Sequence, residues 1–260
     1  MRWLLLLSEP LDGVENMAVD EALLARARIH DAYVMRVYGW LAPTMSLGRN
    51  QRAVGVFRRP HPDADIAIVR RLTGGRAVLH HREVTYSVTG PAARGDTLRA
   101  SYEEINQILL AGLRQLGVAA SLALPSTARD GRRFPAPGSA PCFELPAPGE
   151  IVLGGRKLVG SAQLRENGSF LQHGSILIDD DQGRVAELTD VQLPASAPAA
   201  TLRDALGRAP SLHEVADALF AAVRTRSTSS VHWLEIDDEL ARATRVARDR
   251  YSDDLWTWRR

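Results

Sequence analysis

At 260 residues, with a net charge of +1 and 24% charged side chains, the chain is long enough to bury about three quarters of its unfolded surface in a core that needs no staples. Its near-balanced charge contains no polybasic block, which argues against bulk electrostatic binding of nucleic acid or an anionic membrane and leaves small-molecule or protein substrates. The single cysteine, Cys142, excludes an internal disulfide and any multi-cysteine zinc site.

The chain opens MRWLLLLSEP. The apolar run at residues 3–7 is too short for a signal-peptide core or a membrane span, so it predicts a buried strand and, with the lone cysteine, a cytoplasmic protein. Residues 14–28, VENMAVDEALLARAR, predict a helix with Met17, Leu24 and Ala27 on one face. DAYVMRVYGW and DADIAIVRRL alternate or run apolar with β-branched residues and predict strands.

RRLTGGRAVLHHREVTYSV, residues 70–88, follows a strand, turns through Gly74-Gly75 and resumes apolar alternation at Val78, Val84, Tyr86 and Val88. Paired glycines let backbone N–H groups approach a ligand closely, and Arg70, Arg71 and Arg76 place charge beside them. An ordinary glycine hairpin with solvated arginines is the alternative; the GxxxxGK[ST] spacing of a P-loop is absent. Adjacent His80 and His81 point to opposite faces, so at most one enters a given pocket.

The clearest helix is 101–116. Ser101 and Glu104 predict a capping box, Ile105, Ile108, Leu109, Gly112, Leu113 and Leu116 make one stripe, and Gly117 marks the stop. Residues 125–149 then hold six prolines and no period, which predicts a long irregular loop, a functional feature in most compact domains. Cys142 lies inside it.

Beyond the loop come two hairpin signals, Gly154-Gly155 between EIVL and RKLVGSAQLR, and Asn167-Gly168 before SFLQHGSILID. Lys157 is the only lysine beside 31 arginines. Arginine serves a solvated face as well as lysine does, whereas a compact ammonium with a readily shifted pKa suits a site. On a period of two, Lys157, Val159, Ser161 and Gln163 share a face that suits a pocket wall; a strand-edge lysine guarding against aggregation is the alternative. A nearby ammonium would stabilise the Cys142 thiolate, although a lone cysteine is also often an inert small hydrophobe. His173 alternates with Leu171, Ser175 and Leu177, as a hydrogen-bonded core histidine also would.

PASAPAA near residue 195 suggests a connector, Ser211 and Glu214 predict a second capping box, and an arginine-rich helix follows from about 237. Helices flank an antiparallel meander, so the class is α+β. The expected organisation is one catalytic domain over 1–260, with a helical C-terminal segment from about residue 200.

ENMAVDEALL, YGWLAPTMSLGRNQ, RRLTGGRAVLH, RKLVGSAQ and FLQHGSILID occur in the order and rough spacing of the lipoate-protein ligase, octanoyltransferase and biotin ligase superfamily. The resemblance runs from about residue 3 to 180, and YSDDLW resembles that family's last helix. It implies a central, largely antiparallel mixed sheet flanked by helices, like the catalytic domain of class II aminoacyl-tRNA synthetases and biotin ligases. Family members attach lipoyl or octanoyl groups to a lysine of small carrier domains. Their glycine turn and Lys-x-x-Gly strand line the acyl pocket, and Lys157 matches the lysine that touches the acyl carbonyl.

ATP-dependent ligases of the family commonly carry a glycine after TGG, where this chain has Arg76. The LipM-type octanoyltransferases instead resemble TGGRAVLH and carry a cysteine in CF..P, as Cys142, Phe143 and Pro146 do here; Ala147-Pro148 departs from their pattern. The resemblance therefore implies octanoyl transfer from an acyl carrier protein to a lipoyl carrier domain, such as glycine cleavage H protein, through a Cys142 thioester and without a cofactor. Lys157 would serve the thiolate and the oxyanion. Gly74, Gly75, Gly160 and Ala162 would leave room for the chain, and Arg70, Arg71, Thr73, Arg76, Ser161, His173 and Gly174 would complete the binding site. His80 would orient the loop or shuttle a proton. An ATP- and magnesium-dependent lipoate ligase is one alternative, and a non-catalytic acyl-binding subunit is another.

Overall fold

The apolar N-terminal run becomes β1 (Arg2–Leu7), followed by α1 (Gly13–Arg26) and β2 (Ala32–Tyr38). The structure is a computed structural model that describes residues 2–61, 64–92, 97–124, 148–191 and 198–259. Next come β3 (Thr44–Leu47), β4 (Ala67–Arg70), β5 (Val78–His80), β6 (Glu83–Pro91), α2 (Leu98–Gln115) and β7 (Ser121–Leu122). Then follow β8 (Ile151–Leu153), β9 (Arg156–Lys157), β10 (Val159–Glu166), β11 (Ser169–Leu177) and a 3-10 turn at Gln182–Leu188. The chain finishes with α3 (Leu202–Leu206), α4 (Leu212–Arg226), β12 (Val231–Trp233), α5 (Asp238–Ser252) and α6 (Asp254–Thr257).

Among the described residues, a six-stranded sheet runs β10-β11-β6-β2-β1-β12. β1 pairs parallel with β2 and β12, and the other three pairings are antiparallel. This is the α+β class with a largely antiparallel mixed sheet that the sequence predicts. β1 shows why a fully apolar run belongs there: Trp3 and Leu5 pack with α2 and α4, while Leu4 and Leu6 pack with α1 and α5. Both faces of the sheet are covered, and each buried leucine contributes about 1.5–3 kcal/mol.

Two smaller sheets, β4-β3-β5 and β7-β8-β9, flank the large one. Both predicted hairpins form, since each turn needs two positive φ angles: 57° and 77° at Gly154 and Gly155, and 51° and 77° at Asn167 and Gly168.

Two expectations change. The cap of α2 is Thr97, whose side chain accepts from the Ala100 N–H; Ser101 lies inside the helix and donates its hydroxyl back to Thr97 O at 3.3 Å. A competent cap one turn upstream extends the helix past the capping-box pattern. The predicted strand RKLVGSAQLR divides at Leu158, whose N–H bonds Ile151 O at 3.0 Å while its carbonyl accepts from Leu177 N at 3.3 Å. The chain changes sheets there, so the period of two that joins Lys157 to Val159 is interrupted. Most of the connector near 195 lies outside the described residues, as do residues 125–147 with Cys142.

Candidate functional site

A narrow cleft lies between β10–β11 of the large sheet and the small β4-β3-β5 sheet. Its walls include Ser46, Arg71, Gly75 and His80 from the small sheet and Gly160, Ala162, His173 and Ser175 from the large one, with Met17 and Tyr38 from α1 and β2. The exposed lining of this slot is mainly apolar, which suits it to an apolar chain. Close backbone approach makes the slot possible. A Cβ at Gly174 would lie 2.3 Å from Gly160 O, and one at Gly48 would lie 2.1 Å from Gly75 O. Gly75 itself has φ +95°, a conformation that favours glycine.

Neighbouring arginines separate because alternate residues leave a strand on opposite sides. Arg71 enters the cleft wall and ties the glycine turn, with Nη2 donating to the carbonyls of Gly74 and Arg76 at 2.8 Å each and Nη1 to Ser46 O at 2.8 Å. Arg70 turns away and is wholly buried, donating to Gly48 O and Gln51 O at 2.7 Å and to Thr257 O at 2.9 Å. It braces the loop under the turn and does not line the cleft. The indole of Trp256 donates to Arg70 O at 2.8 Å, so α6 completes the brace. Gly74 and Arg76 belong to the same turn, and a Cβ at Gly74 would meet nothing within 4 Å.

Each cleft histidine joins a hydroxyl to a carboxylate. His173 contacts Asp20 Oδ2 through Nδ1 at 3.1 Å and Thr73 Oγ1 through Nε2 at 2.6 Å. Asp20 is buried and also accepts from Arg36, Tyr38 and Ser87. Burial pushes its pKa up, but the His173 hydrogen bond and the Arg36 charge outweigh that and hold it below the usual carboxylate value. His80 contacts Ser46 Oγ through Nε2 at 2.8 Å and Glu83 Oε1 through Nδ1 at 3.2 Å, and stacks on Trp40 at 4.1 Å. Burial depresses the His80 pKa below its ordinary value, with Glu83 opposing, so the ring is neutral at neutral pH. His81 points the other way and pairs with Asp181 at 2.7 Å.

Lys157 sits beyond the cleft wall, 5% exposed, with Nζ 2.8 Å from Glu150 Oε1. It is a buried cation fixed by a buried carboxylate, not a solvated edge residue. Tyr102 connects this pair to the cleft, since its hydroxyl lies in the fields of Glu150 and Lys157 and near the side chains of Asn106 and Ser161. Burial is the main cause of its raised pKa. Ser161 also shares a 2.7 Å hydrogen bond with Tyr86. Cys142 falls outside the described residues; the structure gathers Ser161, Gly160, Ala162, His173, Gly174, Gly75, Arg71 and His80 round the cleft and sets Lys157 behind its wall. Sequence reasoning missed Glu150, Asp20, Ser46 and Glu83. Only the short His80-x-x-Glu83 spacing offered a local signal, and it did not reveal the intervening turn.

A family model described as the lipoyl protein ligase A/B catalytic domain matches residues 12–224. The octanoyltransferase LipM of Kyrpidia tusciae is 38% identical over 274 residues, covering 99% of each chain. That of an Exiguobacterium species is 34% identical over 273 residues, covering 99% of this chain and 98% of the relative. Among solved structures, a bi-partite lipoate protein ligase from Thermoplasma acidophilum, studied with its E2 lipoyl domain, superposes with TM-score 0.75 at 22% identity. It covers 99% of this chain and 96% of its own, a likeness of fold.

Proposed function

We propose, since the chain belongs to the lipoyl protein ligase A/B catalytic-domain family, that it is an octanoyltransferase acting in protein lipoylation, with acyl carrier protein as donor and a lipoyl carrier domain as acceptor. The acyltransferase activity rests on octanoyltransferase relatives that match across the full chain. The observation that carries the acyl reading is the slot itself: its exposed surface is mainly apolar, glycines line both walls, and polar side chains such as Ser46, His80, His173 and Ser175 edge it.

The chemistry runs in two steps. The Cys142 thiolate attacks the carbonyl of the donor thioester; a new C–S bond forms, the donor C–S bond breaks, and the departing thiolate takes a proton from solvent. The acceptor lysine amine then attacks the acyl-enzyme, forming the amide and releasing Cys142. One thioester replaces another in the first step at nearly equal energy, so no ATP or magnesium is required. Lys157, held in place by Glu150, supplies the positive charge that favours the Cys142 thiolate and the oxyanion of each tetrahedral intermediate, a contribution of about 3–4 kcal/mol for one such donor.

The test is an ATP-free assay with octanoyl-acyl carrier protein and a lipoyl domain. The domain is expected to gain one octanoyl group on its lysine. Modification only with free lipoate, ATP and magnesium, accompanied by pyrophosphate release, would overturn this reading.

A further inference from the structure

The four polar side chains Arg71, Ser46, His80 and Glu83 form a hydrogen-bonded series whose direction is fixed by chemistry. A guanidinium only donates, so Arg71 Nη1 donates to Ser46 Oγ at 3.0 Å. His80 Nδ1 lies 3.2 Å from both Glu83 Oε1 and the Ser175 hydroxyl; a carboxylate only accepts, and Glu83 Oε1 already takes the Thr85 hydroxyl at 2.6 Å, so Nδ1 carries the proton and shares it between Glu83 and Ser175 Oγ. His80 Nε2 is thereby the lone-pair end, and it receives the Ser46 O–H at 2.8 Å. Ser46, Arg71 and His80 all line the cleft.

The second histidine lacks one ingredient. Asp20, behind His173, is already neutralised by the Arg36 guanidinium at 2.9 Å, and its oxygens accept from Tyr38 and Ser87 as well. A proton arriving on His173 would meet a carboxylate that a guanidinium and two hydroxyls already share. Glu83 is buried, and among the described residues no ion pair joins it to a guanidinium or ammonium. Its Oε2 has no hydrogen-bond partner there. Buried carboxylates are costly without a counter-charge, and an imidazolium at His80 would supply one.

We infer that His80 is the proton acceptor for the incoming lysine amine, with Ser46 as the relay hydroxyl and Glu83 as the positioning residue that stabilises the imidazolium. This rests on the transfer reading above. Only the second half-reaction needs a base: the attacking thiolate of the first carries no proton, whereas an amine nitrogen must lose one to become an amide. As the amine nitrogen bonds to the acyl carbon, its proton passes to Ser46 Oγ and the Ser46 proton to His80 Nε2. The carbon–sulfur bond to Cys142 then breaks, Cys142 leaves as thiolate, and His80 returns its proton to solvent.

The experiment measures the two half-reactions separately at fixed acyl-enzyme, reading self-acylation by intact mass and transfer to a lipoyl domain by single-turnover kinetics. For His80→Ala, transfer is expected to fall roughly 10²–10⁴-fold and self-acylation by far less, with added imidazole restoring part of the transfer rate. Glu83→Gln keeps the shape but removes the charge, so transfer falls and its acidic limb moves to lower pH. The titratable and charged groups facing His80 are Glu83 on β6, Arg71 after β4 and His173 on β11; of these only Glu83 favours the protonated ring. Equal losses in both half-reactions, no imidazole rescue or an unmoved limb in Glu83→Gln would overturn the relay. A parent that forms no acyl-enzyme would instead overturn the transfer reading. If His80→Ala fails to fold, Glu83→Gln and Ser46→Ala, which should slow transfer about tenfold as loss of one relay step, still decide.

Discussion

Lys157 and Glu150 illustrate how much one side chain's meaning depends on a partner. The singular lysine stood out against a field of arginines, but Glu150 read as the first residue of a strand, because nothing local says that its carboxylate turns inward to meet an ammonium seven residues on. Arg70 and Arg71 read alike in sequence, and only the pairing of β4 with β3 decides that one braces a loop while the other enters the cleft. For Lys157→Arg the charge is kept while the compact ammonium becomes a planar fork, and a misplacement of about 1 Å costs on the order of 100-fold. The expected result is a large drop in transfer rate at nearly unchanged Tm. Parental turnover by this variant would remove Lys157 from the site. Glu150→Gln should also slow transfer by loosening the ammonium, and steady-state kinetics of the pair of variants would show non-additive losses if the two act together.

At the scale of elements, what is decided by a few neighbouring residues was legible. The two hairpins follow from glycine and asparagine at positive φ, and the Ser211–Glu214 capping box forms as its spacing predicts. The N-terminus of α2 was not legible in detail, since Thr97 and Ser101 are both good caps and the helix starts at the earlier one. Nor was the break at Leu158, because the same apolar alternation satisfies either sheet. The slot depends on strand spacing as much as on side chains, which gives a direct prediction for Gly174→Ala. Its methyl group would press on the carbonyl of Gly160 across the β10–β11 pair. Backbone there cannot yield as a flexible side chain would, so the variant should lose about 1–3 kcal/mol of stability and most transfer activity. Denaturant unfolding and the transfer assay check the two effects independently.

For the whole molecule, the Asp20–Arg36 pair at the centre ties α1 to β2, and through His173 and Ser87 to β11 and β6. Its residues lie up to 153 positions apart, beyond the reach of any local pattern, and Asp20 reads as an ordinary polar position on an amphipathic helix. Removing one partner of a buried pair costs about 3–5 kcal/mol, so Asp20→Asn should lower Tm substantially at neutral pH. The sign of its pH dependence follows from the depressed pKa. The native carboxylate holds its proton less tightly than the unfolded one, so its contribution is complete above the ordinary value of 3.8 and is lost as pH falls through the lower folded value. His80 acts in the same direction from 6.5 downward, because the unfolded ring takes up a proton more readily than the buried one. The gap in Tm between parent and Asp20→Asn should therefore narrow only in strong acid; a gap that is constant down to pH 2 would contradict a charged native Asp20.

The fold, the slot and the buried Lys157–Glu150 pair together serve one claim, that an acyl chain is held on the enzyme between donor and acceptor. Intact-protein mass spectrometry of the purified chain after incubation with octanoyl-acyl carrier protein tests it most directly. The expected spectrum shows one octanoyl adduct, located on Cys142 by peptide mapping, absent in Cys142→Ser and discharged when a lipoyl domain is added. Transfer to the lipoyl domain by Cys142→Ser at the parental rate, with no octanoyl adduct on the parent or the variant enzyme, would contradict it.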